Sequence, residues 1–418
     1  MQIEKLYNVS YWDDAYNRLI NKPYITNEEI DDYFRIKELK RNQLVQDFLN
    51  GTIDWGIPRK LRLAKANTTK KRIVYLYSKP IRLLLGVVYR WLSDEFETEV
   101  SDNCFSYKKK ISTVSAVRYI KDNRDENQTN GVKVDIHAYF NSVCMNRVHE
   151  MLDELFVDAD VNGVKQSLER LFFTNEVYDD VIKNTVEEWK GLIPGTPIAS
   201  FFANYCLREL DFYFDTQSCI YARYSDDIIV LDTSKDRLET HLNVIKDYLL
   251  KYDLEINPKK YTWFTDEDDI TFLGLKLKKD GTVDLSDHSI EKIKKTIYRW
   301  CKKARREIEK GNLTFEKASL QINNRLNNKN FKCYIRNEAT FGWCHYAFRY
   351  ITTIESLKLI DYYTRDTLRY LKTGKHNKKN YYSITDDEFK RMNWVSLVEL
   401  YELYKKDFDY YCEVIELL

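Results

Sequence analysis

The chain has 418 residues, with 66 Lys and Arg against 65 Asp and Glu, and a net charge of +1. That length predicts two or three packed units, and an apolar fraction of 44% is enough for real cores. No apolar run approaches the ~18 residues of a membrane span, the N-terminus carries no basic-then-apolar export signal, and 32 Tyr, 20 Phe and 8 Trp argue against a disordered chain.

Residues 1–53 place apolar and charged residues at helical spacing, with Thr26-Asn27-Glu28-Glu29 as a helix start. From Trp55 to Ser93 there is no acid, against ten bases: Arg59, Lys60, Arg62, Lys65, Lys70, Lys71, Arg72, Lys79, Arg82 and Arg90. Bases interleaved with aromatics suit a polyanion whose bases can stack. A solvated face balanced by acids elsewhere is the better reading of composition alone. Within this stretch Leu61–Leu76 reads as a basic hairpin broken at Asn67-Thr68-Thr69, and Ile81–Phe96 as a buried helix.

Val132-Lys133-Val134-Asp135-Ile136 alternates as a strand should. After Gly191 and Gly195, the run from Ile198 to Phe214 is apolar nearly all round and predicts a buried helix. Ile220–Arg223 and Ile228–Leu231 form a hairpin about the turn Tyr224-Ser225-Asp226-Asp227. Leu238, Leu242, Ile245 and Leu249 mark one helix face, and Tyr261–Phe264 and Phe272–Leu277 return to strands. Strand, helix, hairpin, helix, strand is the order of a ferredoxin-like α+β sheet covered by helices on one side. Beyond Asp287 the pattern is helical: Ile293, Ile297, Trp300, Ala304 and Ile308 share a face, and Glu291–Lys310 holds nine bases and three acids. Phe341–Leu371 continues as helices rich in Tyr and Arg, Lys372–Asn380 is a basic linker, and the last eighteen residues are acidic and aromatic.

Three carboxylates fall where this topology gathers them. Asp135 ends the first strand and Asp226-Asp227 sit at the turn of the central hairpin. Hard oxygen donors so clustered suit Mg²⁺, and two such ions roughly 4 Å apart activate an attacking oxygen and stabilise a leaving pyrophosphate. An isolated Asp-Asp pair is usually a solvated turn; the flanking strands and Asp135 reverse that reading.

Val134-Asp135-Ile136-His137-Ala138-Tyr139-Phe140-Asn141-Ser142-Val143 resembles motif A of the reverse transcriptases. Gly191-Leu192-Ile193-Pro194-Gly195-Thr196-Pro197-Ile198-Ala199-Ser200, with Ala203-Asn204 and Leu210-Asp211, resembles motif B. Tyr224-Ser225-Asp226-Asp227 is similar to the Tyr-x-Asp-Asp box of motif C, Leu254–Lys260 to motif D, and Phe272-Leu273-Gly274 to the motif E primer grip. Weaker similarity to group II intron and retron-like enzymes extends through Lys71-Arg72 and Ser106-Tyr107 to their fingers, and through Phe341-Gly342-Trp343 to their helical thumb.

The resemblance implies a right-hand polymerase: an N-terminal helical segment over 1–54, basic fingers with part of the palm over 55–131, a ferredoxin-like antiparallel palm over 132–284, a helical thumb over 285–375 and a tail over 376–418. It implies addition of deoxynucleotides to a 3′ hydroxyl on an RNA template, giving a DNA product. Asp135 and Asp226 would bind two Mg²⁺ ions (Mn²⁺ as a substitute) with the Ile136 carbonyl, and Asp227 would support them. Phe140, beside Tyr139, would gate the sugar, Gly195 would let the backbone approach closely, and Lys71, Arg72 and more weakly Lys79 would grip the triphosphate. Lys260 would protonate the pyrophosphate, with Lys259 an equal-looking neighbour. His137 and Ser225 vary within the family and take no role.

Some departures matter. Ile193-Pro194-Gly195 stands where the family has Pro-Gln-Gly, so a side chain that normally lies near the nucleotide is missing. The retron signatures Asn-Ala-x-x-His and Val-Thr-Gly are absent, and there is little room past a thumb for maturase additions. The remaining resemblance is to bacterial defence-associated enzymes of the abortive-infection and unknown-group type, which implies a partner non-coding RNA and other subunits of a defence system. The alternatives are a retron or intron enzyme of a mobile element, or a non-catalytic nucleic-acid-binding subunit. Eight cysteines at scattered positions, none in a Cys-x-x-Cys, read as reduced thiols of the cytoplasm.

Overall fold

The structure of the protein, a computed structural model, describes residues 1–21, 25–64, 71–109, 111–124, 130–157, 161–327, 343–374, 378–408 and 410–411. The expected hairpin turn Asn67-Thr68-Thr69, the Phe341-Gly342 pair, the centre of the basic linker, and the last seven residues of the acidic tail lie outside these residues, as do Lys65 and Lys70. The chain forms two compact units, Met1–Asp266 and Glu267–Leu418.

In the first unit the helix Asn27–Leu49 starts at a capping box between Thr26 and Glu29, as the sequence predicts. The helix Lys79–Glu95 carries Pro80 in its first turn and buries Leu83, Leu84, Leu85, Val87, Val88, Trp91 and Leu92. Each large apolar side chain so buried contributes about 1.5–3 kcal/mol relative to exposure. At Gly86 a Cβ would lie 2.9 Å from that of Ala15, so the helix Val9–Ile20 packs there at backbone distance.

The basic hairpin is present: β1 (Arg59–Ala64) pairs antiparallel with β2 (Lys71–Leu76). Its extension went unread in the sequence. β3 (Asn130–Asp135) belongs to another sheet, but β4 (Glu176–Asp179) joins β1 in parallel and β5 (Asn184–Glu187) joins β4, giving the order β2-β1-β4-β5. The second sheet adds β6 (Ile220–Tyr224), β7 (Asp227–Asp232) and β8 (Thr262–Phe264) in the order β6-β7-β3-β8, antiparallel throughout. A strand order in which the first strand lies between the hairpin and the last strand is the ferredoxin-like topology. The helix Lys235–Lys251 packs on β3 and β7.

Two predicted elements are divided. The run Ile198–Phe214 forms two helices, Ile198–Cys206 and Arg208–Asp215, interrupted at Leu207. Phe272–Leu277 is two strands: β9 (Ile270–Phe272) turns at Leu273 and Gly274, both at positive φ, into β10 (Leu275–Leu277), which pairs with β11 (Val283–Leu285). An apolar run cannot announce such a turn; Gly274 was its one signal. These three strands belong to the second unit, with the helices Asp287–Glu309, Phe315–Leu326, Trp343–Tyr350, Glu355–Thr373, Asp386–Arg391 and Leu397–Lys406. Among the described residues no helix is long and apolar enough to cross a membrane, and the six described cysteines are free.

Candidate active site

The centre of the ferredoxin-like sheet sets the site. β3 and β7 are antiparallel with Asp135 directly opposite Asp227, and the Ile136 N–H donates to the Asp226 carbonyl at 3.0 Å. Opposed residues of such a ladder have Cα atoms only about 4.5–5.5 Å apart. Three carboxylates therefore meet at one strand end, with Asp135 only 3% exposed. Burial, and then the Asp135 charge, raises the pKa of Asp226; burial, then Asp226 and Asp135, pushes Asp227 up to about 6.

Cations answer part of this charge. The Lys260 ammonium lies 2.5 Å from Asp135 Oδ2, and the Asn257 side-chain amide donates to Oδ1 at 3.0 Å. The Asn257 N–H also donates to the Asp135 carbonyl at 2.7 Å, which ties the chain after the helix Lys235–Lys251 to the end of β3. Burial works against the charge of Lys260, but its bond to Asp135 and the charges of Asp135, Asp227 and Asp226 together outweigh this, so its pKa is raised. Lys133 shares the Asp135 face of β3; burial lowers its pKa while Asp227 acts the other way. Asn257 and Lys133 were missed as site residues in the sequence, although strand alternation places Lys133 there.

A crowded, partly desolvated set of carboxylate oxygens is what a hard divalent cation satisfies. Asp135, Asp226 and the Ile136 carbonyl could hold one, with Asp227 in support. Among the described residues no three His, Cys, Asp or Glu side chains stand in a ready ligating arrangement, and Asp135 has its two oxygens on Asn257 and Lys260.

The family model for reverse transcriptase (RNA-dependent DNA polymerase) matches residues 63–277, just over half of the chain. The chain belongs to the reverse transcriptase family.

Its fold is accordingly the α+β right-hand polymerase fold of that nucleotidyltransferase family, with a ferredoxin-like palm sheet, basic fingers and a helical thumb. Comparison with curated protein sequences finds no match. Among solved structures it is similar to apo telomerase from Candida tropicalis truncated from its C-terminal domain (12% identity, TM-score 0.43, 56% of this chain and 55% of that one). It is also similar to telomerase from Candida albicans in complex with a TWJ fragment of telomeric RNA (14%, 0.44, 92% and 70%), and to apo telomerase from Candida tropicalis (12%, 0.45, 82% and 68%). The chain thus spans about half the length of the first of these, and likenesses at this level do not bear on its chemistry.

The remaining residues of this reverse transcriptase read from sequence fall as follows. Phe140 is partly exposed beside the palm turn, its ring 6.4 Å from that of Tyr107. Tyr139, read as its partner in the sugar pocket, is instead a core residue: it is 1% exposed and its hydroxyl donates to the Ala203 carbonyl at 2.6 Å. Gly195, at φ 103°, permits a close approach, and the partner is β2: a Cβ would lie 2.8 Å from that of Val74. The Tyr75 N–H donates to the Pro194 carbonyl at 2.8 Å, so the loop carrying Pro194 and Gly195 is sewn to the hairpin of β1 and β2. Lys71 and Arg72 are exposed on β2, and Arg72 is near enough for its charge to reach Tyr107. Lys79 is paired with Asp32 at 2.5 Å. Of the neighbours Lys259 and Lys260, Lys260 is the one whose ammonium reaches Asp135.

In the second unit, the helix Asp287–Glu309 buries Ile290, Ile297, Cys301 and Ala304. Lys292, Lys295, Arg299, Lys302, Lys303 and Arg306 are exposed. Steps of 100° per residue place these six within an arc of about 100° on the opposite side, over roughly 21 Å of helix.

Proposed function

We propose that the protein is an RNA-directed DNA polymerase that adds deoxynucleotides to a 3′ hydroxyl and releases pyrophosphate. The observation that carries this reading is the opposition of Asp135 and Asp227, with Asp226 at the adjoining turn, inside the region matched by the family. In this reading residues 55–131 are fingers, 132–284 palm and 285–375 thumb, between an N-terminal helical segment (1–54) and a tail (376–418). Asp135, Asp226 and the Ile136 carbonyl hold two Mg²⁺ ions, or Mn²⁺. When bound, such ions lower the pKa of the attacking hydroxyl and offset charge on the leaving group.

The chain's own side chains do the rest. Phe140 presents its ring to the sugar. Lys71 and Arg72, both exposed at the start of β2, supply positive charge to the triphosphate. Lys260 holds a proton on Nζ beside Asp135, from which departing pyrophosphate can take it. Extension of a labelled primer on RNA, with Mg²⁺, with Mn²⁺ and with a chelator, tests the reading. Extension that persists in chelator, or in Asp226→Asn, would overturn it.

We propose further that the enzyme acts in the cytoplasm in antiphage defence, on a dedicated non-coding RNA. The missing retron signatures and the six-base stripe of the helix Asp287–Glu309 support this. Sequencing nucleic acid that copurifies with the protein tests it. A protein that purifies without RNA, and binds transcripts of its own locus no better than unrelated RNA at low salt, would exclude it.

A further inference from the structure

The turn that presents Asp226 is built on an awkward residue. Ser225 stands at φ 60°, a left-handed conformation that non-glycine residues adopt only when their surroundings insist. Three side chains engage all of its polar atoms. Its N–H donates to Ser106 Oγ at 2.9 Å, its carbonyl accepts from Arg223 Nη1 at 3.1 Å, and its hydroxyl oxygen accepts from the Tyr107 hydroxyl at 3.2 Å.

This clasp is itself held. Ser106, fully buried, donates to Asn204 Oδ1 at 2.9 Å and receives the Asn204 amide on its carbonyl at 2.7 Å. Arg223, also fully buried, donates from Nε and Nη2 to the two carboxylate oxygens of Asp211. The Phe105 N–H donates to the Arg223 carbonyl at 2.8 Å, which fixes the segment carrying Ser106 and Tyr107 alongside β6. Tyr107 is at φ 58°, so two strained residues face each other across one hydrogen bond. The Tyr107 ring meets Phe140 edge-on, at 82°.

A network that served stability alone would have no need to converge on the residue preceding the metal-binding Asp226, nor to touch the ring beside the sugar. Resting on the polymerase reading above, we infer that Ser106 and Tyr107 are positioning residues. Ser106 fixes the backbone of the Asp226 turn, and Tyr107 both secures that turn and backs Phe140, so that it governs rate and sugar choice together.

Single-nucleotide extension by the full chain tests this, with ribo- and deoxynucleotides in competition and thermal midpoints measured alongside. Ser106→Ala leaves the buried Ser225 N–H without an acceptor, and kcat should fall about tenfold with the KM for nucleotide within about twofold. Ser106→Thr, which keeps the hydroxyl, should recover most of the rate. Tyr107→Phe should lower kcat by about threefold to tenfold at an unchanged ribo-to-deoxy ratio. Tyr107→Ala, or Tyr107→Leu if the alanine variant does not fold, should raise ribonucleotide use about tenfold. Lowered thermal midpoints with kcat and the ratio at wild-type values would make the network structural only and overturn the inference. A wild-type chain that extends no primer would overturn the polymerase reading and this inference with it, an outcome distinct from the first.

Discussion

Two basic stretches look alike in sequence and differ in the fold. Over residues 55–93, bases find acids far along the chain: Arg59 with Asp180 at 2.9 Å, Arg62 with Asp179 at 2.6 Å, Lys60 with Glu188, Lys79 with Asp32, and Arg90 with Asp14. Among the bases of Asp287–Glu309, Lys294 pairs locally with Glu291 and Arg305 with Glu309, and a stripe of six exposed bases faces outward. Strand pairing brings β4 and its acids against β1, and no such partner strand serves a surface helix. An acid-free run in sequence therefore does not establish an electropositive surface; what topology sets beside it decides. The palm turn is the opposite extreme, where topology collects like charges.

That extreme gives the largest expected effect. Asp135→Asn and Asp226→Asn should slow single-turnover extension by about 10²–10⁴-fold, because several kcal/mol of transition-state stabilisation are lost at 1.36 kcal/mol per decade. RNA affinity should stay within about twofold, since the basic surfaces are untouched. Comparable polymerisation by either variant would remove these carboxylates from the chemistry.

The stripe comes next. Neutralising Lys295, Arg299 and Lys303 together should reduce the slope of log affinity against log salt by about 2–3 and weaken RNA binding at least tenfold at physiological salt. Arg59→Ala and Arg62→Ala, whose charges are already answered, should change binding by less than about twofold. Anisotropy titrations over a salt series read both. Equal effects from the two sets would erase the distinction between the regions.

Stability should show the reverse ranking. Asp179 is 1% exposed, and it accepts from Arg62 on both oxygens and from the N–H groups of Val181 and Ile182. Asp179→Ala strands these donors and should lower the thermal midpoint by about 3–6 °C, whereas Lys303→Ala should leave it within about 1 °C. Calorimetry of the two variants decides. A Lys303→Ala loss as large as that of Asp179→Ala would mean that the Lys303 ammonium contributes to the fold as much as the buried carboxylate does.

How far the sequence could be read follows the same division. Strand alternation in Val132–Ile136 and the hairpin about Ser225-Asp226 were legible because period-two patterns and turn residues are local signals. They place Asp135, Asp226 and Asp227 together from local pattern alone. Tyr139 was misjudged because two adjacent aromatics give no sign of which faces the core, and only the backbone after β3 turns it toward Ala203. The parallel joining of β1 to β4, the pairing of Lys60 with Glu188, and the grip of Asn257 on Asp135 are contacts across more than a hundred residues, and nothing in either partner's neighbourhood announces them.

A last base belongs to neither stretch and gives the smallest effect. Lys190 is 1% exposed, donates to the Thr174 carbonyl, and has no carboxylate in contact among the described residues. Burial brings its pKa down from 10.5 to about 8, against a pull upward from Glu188. Below pH 8 the ammonium is charged in both the folded and unfolded chain, and the penalty of burying it is carried in full. Between pH 8 and 10.5 the folded chain has shed the proton and the unfolded chain still holds it. Stability therefore rises with pH across that window, the sign opposite to that of a lysine with an acid beside it. Lys190→Met removes the group and leaves every other titration in place. The thermal midpoint of the wild type relative to this variant should climb by about 1–3 °C from pH 8 to pH 10. A difference that stays flat or falls would show that the ammonium reaches water or an acid in the folded chain, and would return Lys190 to the company of the paired bases around it.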